Sequence, residues 1–236
     1  MMTLQYLLLG FAPGLFWLWY FRRKDDLEPE PRAQLLKVFL FGCVAPVIVL
    51  AVRPAFSRLL PTGPGWRYDW IDAFLVTSLP EEGAKLLVFF LVAYLHHDFD
   101  EPLDGIIYGT AVALGFASVE NVIYLFRFED ASVVVIRAFT ATLGHAGFTG
   151  SLGFFWGLAK FSARRWRLLL MGAGFGVAVV FHGAYDVLLF GSESRSWLAL
   201  FGLLPLILVL LSLKMRWLRA RSPFLARAQG RSRQDS

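Results

Sequence analysis

Apolar runs of about 20 residues with few charges recur along the whole chain, and that spacing leaves few folds open. Such a run is long enough to cross a bilayer as a helix, where every backbone N–H and C=O must be satisfied within the segment. Seven runs are read, at about 3–21, 34–52, 70–95, 104–126, 133–158, 167–190 and 196–214. They predict an all-α polytopic bundle in which residues 1–222 form a single integral membrane domain, with a core at about 70–190. Residues 223–236 are expected to be a basic cytoplasmic tail. Hydrophobic residues are 57% of the 236 and charged residues only 17%, which excludes an ordinary soluble enzyme and a disordered chain. The lone cysteine, Cys43, excludes an intrachain disulfide.

A formal charge of +5 raises the question of nucleic acid. The basic residues flank apolar runs instead of forming a patch, so nucleic acid is not expected as a partner and the lipid bilayer is. The first run is an anchor, since Arg22, Arg23 and Lys24 follow it. Placing the N-terminus outside and the C-terminus in the cytoplasm puts sixteen Lys and Arg residues on the inner side against five in the outer loops.

The informative residues are the ionisable ones inside the runs. Each costs roughly 2.5–3.5 kcal/mol at a helix centre on insertion scales, so it is rare without a use. The third run holds Pro80-Glu81-Glu82-Gly83-Ala84-Lys85, and the fourth holds Gly115-Phe116-Ala117-Ser118-Val119-Glu120-Asn121. The fifth holds Gly144-His145-Ala146-Gly147-Phe148-Thr149-Gly150, and the sixth holds Phe181-His182-Gly183-Ala184-Tyr185-Asp186. Small residues at i+4 spacing share the faces of these groups: Ala141, Thr149 and Gly153 with His145, and Gly174 and Ala178 with His182. Small residues let membrane helices approach closely, so the polar groups should face the bundle interior. At about 1.5 Å per residue, all four sets fall roughly 9–18 Å below the same, outer, surface. That agreement predicts one hydrated cavity open to the outside. Pro80 should kink the third run beside it.

Two glutamates, a third glutamate and two histidines can activate water for amide hydrolysis. Either Glu81 or Glu82 is the general base, with the other paired to Lys85. His182, His145 and Glu120 bind the catalytic water, or form a two-histidine, one-carboxylate set for a zinc-type divalent metal. Asn121 and Lys85 support developing charge, and Asp186, one turn beyond His182, orients its ring. No HExxH or Gly-x-Ser-x-Gly motif is present. A proton- or cation-coupled transporter would use the same buried acids, and a non-catalytic membrane scaffold would keep them as a partner-binding cavity. His96, His97 and Asp98 read as a solvated loop.

The four motifs, in this order, resemble those of the PrsW family of bacterial intramembrane proteases, distant relatives of the Abi-type and CAAX-processing glutamate endopeptidases. The match covers roughly residues 75–190. Lys85 is similar to PrsW and departs from the arginine-bearing CAAX-type motif. The resemblance implies a protease of the bacterial inner membrane that cuts a membrane-anchored protein, such as an anti-sigma factor, on the extracytoplasmic side. It also implies that Glu81, Glu82 and His182 carry the core activity.

Overall fold

The computed structural model describes residues 2–190 and 193–225; the tail expected at 223–236 lies largely outside them. Every regular element among the described residues is helical. The order is α1 (Met2–Arg22), α2 (Arg32–Gly42), α3 (Ala45–Ser57), α4 (Trp66–Ile71), α5 (Leu79–Phe89), α6 (Pro102–Phe128), α7 (Ala131–Phe139), α8 (Ala141–Phe161), α9 (Arg164–Leu189), α10 (Glu193–Leu198) and α11 (Leu204–Arg219). Wide π-helical turns at Asp72–Ser78, Phe90–Tyr94 and Ala199–Leu203 continue the rods that they interrupt.

Prolines explain where three rods break. A proline has no N–H for the carbonyl one turn back, so regular α-helix cannot run through it undisturbed. Pro80 follows the π-turn 72–78, and Pro205 follows the π-turn 199–203. Pro46 opens α3 just after the break at Cys43–Val44 that divides the second apolar run. In the first case the ladder shifts register: the Leu79 amide bonds the Phe74 carbonyl, five residues back. The fifth run is also divided, at Thr140, whose backbone leaves helical geometry between α7 and α8.

Among the described residues, six helical stretches are long and apolar enough to cross a membrane: Leu4–Arg22, Arg32–Ser57, Pro102–Phe128, Ala131–Phe161, Arg164–Leu189 and Ser194–Arg219. The seventh expected span, the rod 66–94, is helical throughout but carries Asp69, Asp72, Glu81, Glu82 and Lys85, so it does not qualify by composition. Large apolar side chains cover the outside, including Leu8, Leu50, Leu168 and Phe201, each more than 60% exposed. A soluble protein does not display apolar surface on this scale; lipid tails cover it here, and the protein is an integral membrane protein.

Helix α6 is the axis of the bundle. Within its apolar stretch 78% of residues are buried, against 22% for α1. It packs against α1, α2 and α8, and α9 closes on α8. Glycines set the closest approach. A Cβ at Gly153 would stand 1.9 Å from the Gly105 carbonyl oxygen, and one at Gly115 would stand 2.0 Å from that of Phe39. Backbone thus meets backbone along α6–α8 and α6–α2, which brings the polar faces of α6 and α8 into register.

Candidate active site

The inner face of α5 is set by helical spacing. Glu81, Glu82 and Lys85 are buried on it together with Pro80, Ala84 and Val88. Lys85 donates to Glu82 Oε1 at 2.7 Å and lies 3.7 Å from Glu81 Oε2. It also donates to His145 Nδ1 at 2.9 Å, and its ammonium stands 4.1 Å from the centre of the Phe116 ring. Glu82 is fully enclosed. Its Oε1 faces His182 Nδ1 at 3.0 Å, and its Oε2 accepts from the Thr149 hydroxyl at 2.9 Å. One carboxylate from α5 thus meets groups from α8 and α9 and satisfies the buried ammonium beside it.

The histidines are locked by carboxylates. His145 Nε2 lies 2.7 Å from Glu120 Oε2. Because Nδ1 of the same ring accepts from Lys85, Nε2 carries the proton and donates to Glu120. His182 donates from Nδ1 to Glu82, which leaves Nε2 facing Asp186 Oδ2 at 3.4 Å and Glu81 Oε2 at 3.8 Å. The His182 ring stacks on Phe148, with centroids 5.0 Å apart, and the two imidazoles are 5.1 Å apart edge to face.

Beyond Glu120 the network reaches α7. Arg137 donates to Glu120 Oε2 at 3.1 Å and to Asn121 Oδ1 at 2.8 Å. Asn121 in turn donates to the Thr142 hydroxyl and the Gly10 carbonyl. The break at Thr140 lets α7 present Arg137 to α6 in this way.

A cavity of about 350 Å³ opens beside these groups. Glu81, Glu120, His145, His182, Asp186 and Arg137 line it. Its mouth lies among Arg53, Asp69, Arg127 and Phe190, near the ends of α3 and α6, in α4, and just beyond α9. The expected sharing of one depth by four segments therefore takes the form of one polar chamber near one end of the bundle.

Most of the residues singled out in the sequence meet here, with two differences of placement. Glu82, Lys85 and Asn121 stand behind the chamber and not on its wall: Glu82 and Lys85 bond each other and the two histidines, and Asn121 bonds Arg137 and Thr142. The three groups whose ligand atoms converge are Glu81, His145 and His182, all within 4.8 Å of one another. Glu120, expected in that set, caps the far nitrogen of His145 instead. Helical spacing could not reveal this, since it depends on which acid of α5 the fold turns toward the imidazoles. Arg137 and Thr149 carry no expected role, although an arginine inside an apolar run is itself a signal of use. His96, His97 and Asp98 cluster in the loop after the rod 66–94, where His97 is largely exposed.

The converging set fits a borderline divalent ion. Imidazole and carboxylate are zinc-type ligands. Each imidazole has one nitrogen held by a carboxylate, the support that metal-binding histidines ordinarily have. Glu81 Oε2 is buried without a hydrogen-bond donor. At formal charge, Glu81, Glu82, Glu120 and Asp186 outnumber Lys85 and Arg137 by two, the charge that one divalent ion cancels.

Comparison with known proteins agrees with this chemistry. Residues 30–213 match the profile of the PrsW family intramembrane metalloprotease. The chain is 37% identical over 186 residues to protease PrsW of Geobacillus kaustophilus, covering 78% of this chain and 79% of that one. It is 33% identical over 180 residues to protease PrsW of Bacillus subtilis, covering 76% and 80%. With protease PrsW of Shouchella clausii it shares 28% identity over 92% of this chain and 97% of that one. No solved structure matches significantly. The chain belongs to the PrsW family of intramembrane metalloproteases and is a membrane-embedded peptidase.

Proposed function

We propose that the protein is an endopeptidase of the bacterial inner membrane that hydrolyses one peptide bond of a membrane-anchored protein, an anti-sigma-factor-like substrate, near the outer surface. Residues 1–222 act as one membrane domain, with the N-terminus outside and the C-terminus in the cytoplasm. The excess of Lys and Arg on the opposite side from the cavity mouth supports that orientation.

The observation that carries the reading is the Glu81 Oε2 atom, buried without a hydrogen-bond donor on the wall of a polar cavity, beside His145, His182 and Lys85. Glu81 takes a proton from the attacking water as the water oxygen bonds to the scissile carbonyl carbon. It returns that proton to the amide nitrogen as the C–N bond breaks. Glu82 does not meet substrate. It fixes the His182 tautomer through Nδ1 and holds Lys85. His182 Nε2 and Asp186 orient the water from α9, and Glu120 and Arg137 hold His145 in place. Arg137, bonded to Glu120 and Asn121, acts on the reaction through these partners.

Glu81, His145 and His182 would hold a zinc-type ion. When bound, such an ion polarises the carbonyl and lowers the pKa of water. Lys85 donates to the same His145 Nδ1 that a ligand bond would use, so ammonium and ion compete for that lone pair.

The test is quantitative proteomics of the membrane fraction from cells carrying the wild-type protein or Glu81→Gln. One membrane-anchored protein should be shortened on its extracytoplasmic side only in the wild type, and the purified pair in liposomes should reproduce the cut. Identical fragment sets in both strains, with ion-dependent flux through the purified protein, would replace this reading with a transporter.

A further inference from the structure

At the end of α6 opposite the cavity, the chain buries a second set of acids. Asp25 and Glu30 come from the loop between α1 and α2, and Glu101 and Asp104 come from the start of α6. Each is at most 1% exposed. Two of these carboxylates are held from outside by one oxygen. The Tyr108 hydroxyl donates to Glu30 Oε2. The backbone N–H groups of Asp100 and Glu101 donate to Asp104 Oδ2 at 2.8 and 2.7 Å.

The remaining oxygens point to something else. Glu30 Oε1 and Asp104 Oδ1 are buried without a donor. So are both oxygens of Asp25, a side chain enclosed almost completely, with the Glu28 backbone amide beside it. One oxygen from each of Asp25, Glu30 and Asp104 lies within 4.8 Å of the other two. The neighbouring cations are engaged elsewhere. Lys160 donates to the Tyr94 carbonyl at 2.7 Å and sits over the Phe99 ring, and Arg22 donates to the backbone carbonyl of Glu30. Carboxylates so placed attract a cation strongly.

We propose that Asp25, Glu30 and Asp104 form a second metal site, for a hard divalent cation bound by oxygen alone. Oxygen-only ligands select magnesium, calcium or manganese over zinc, in contrast to the imidazole-bearing site. Tyr108 and the two amides supply the outer hydrogen bonds that aim such ligands. Asp104 and Glu120 are sixteen residues apart on one helix, about 24 Å along its axis. The ion therefore takes no part in hydrolysis. It ties the α1–α2 loop to the first turn of α6, the helix on which the bundle is built.

The experiment uses the full chain in detergent with His145→Ala and His182→Ala, so that the imidazole site is removed and no catalysis is needed. Manganese binding, counted by electron paramagnetic resonance, should show one tightly held ion per chain. Magnesium and calcium should displace it, and the better competitor identifies the resident ion. Asp25→Asn and Asp104→Asn should each weaken binding at least tenfold. Tyr108→Phe keeps all the carboxylates and should weaken binding several-fold. Asp98→Asn, in the exposed histidine loop, should leave it unchanged. Three results would each overturn the proposal: no bound manganese in this background, binding lost with Asp98→Asn, or binding indifferent to Asp25→Asn, Asp104→Asn and Tyr108→Phe.

Discussion

Glu82 Oε1 stands 3.0 Å from His182 Nδ1, although the two residues are one hundred positions apart in the chain. That bond joins α5 to α9. With Lys85 and Thr149 on the same carboxylate, it makes Glu82 the buried hub of the site, while its neighbour Glu81 faces the cavity. On the proposed reading these adjacent acids do different work, and mutation should separate them.

Glu81→Gln should lower kcat by at least about 100-fold, because the group that moves the proton is gone. Its unfolding temperature should stay near that of the wild type, since the lost oxygen had no hydrogen-bond donor. Glu82→Gln should lose activity and also about 3 kcal/mol of stability, because the Lys85 ammonium stays buried without its closest carboxylate. Cleavage of a reporter substrate and thermal unfolding in the same detergent make the comparison. Equal stability losses would contradict the division of roles.

Arg137 reaches the chemistry through Glu120 and His145. Arg137→Met should cost roughly 10–100-fold in kcat/KM, the usual scale for losing an outer partner of a working histidine. Arg137→Lys should recover part of that loss by restoring the charge without the two-pronged reach to Asn121. Unchanged kcat/KM in the Met variant would remove Arg137 from the mechanism.

Metal removal tests the converging set directly. Dialysis against a strong chelator should stop cleavage, and zinc should restore it. Zinc analysis should find about one ion per chain in the wild type and almost none in His145→Ala. Full activity in the zinc-free protein would assign the water activation to Glu81 and the histidines alone.

Close helix approach is a prerequisite for the site. Gly153→Ala forces a methyl group against the Gly105 carbonyl and should push α8, with His145 and Thr149, away from α6. A loss of roughly 1–3 kcal/mol is expected, together with activity. Gly176→Ala adds its methyl to open space on α9 and should change the unfolding temperature little. If both variants unfold alike, backbone contact between α6 and α8 is not what aligns the site.

The chain by itself determined that it is a membrane helix bundle and which buried polar residues are the candidates for its chemistry. Long apolar runs admit little else in lipid, and a Glu-Glu or a His-x-x-x-Asp inside such a run stands out because burying it is costly. Spacing along each helix also identified the inward faces, since position in a helix fixes direction. Only the tertiary structure decided which groups meet. It turned Glu81 rather than Glu82 to the cavity, made Glu81 and not Glu120 the acid that converges with both imidazoles, and drew Arg137 inward at the Thr140 break. It also gathered Asp25 and Glu30 of a loop onto Asp104 of α6. Each of these depends on helix rotation, on π-turns and breaks that shift register, and on glycine contacts between distant segments. Such relations between helices leave no periodic mark within any one of them.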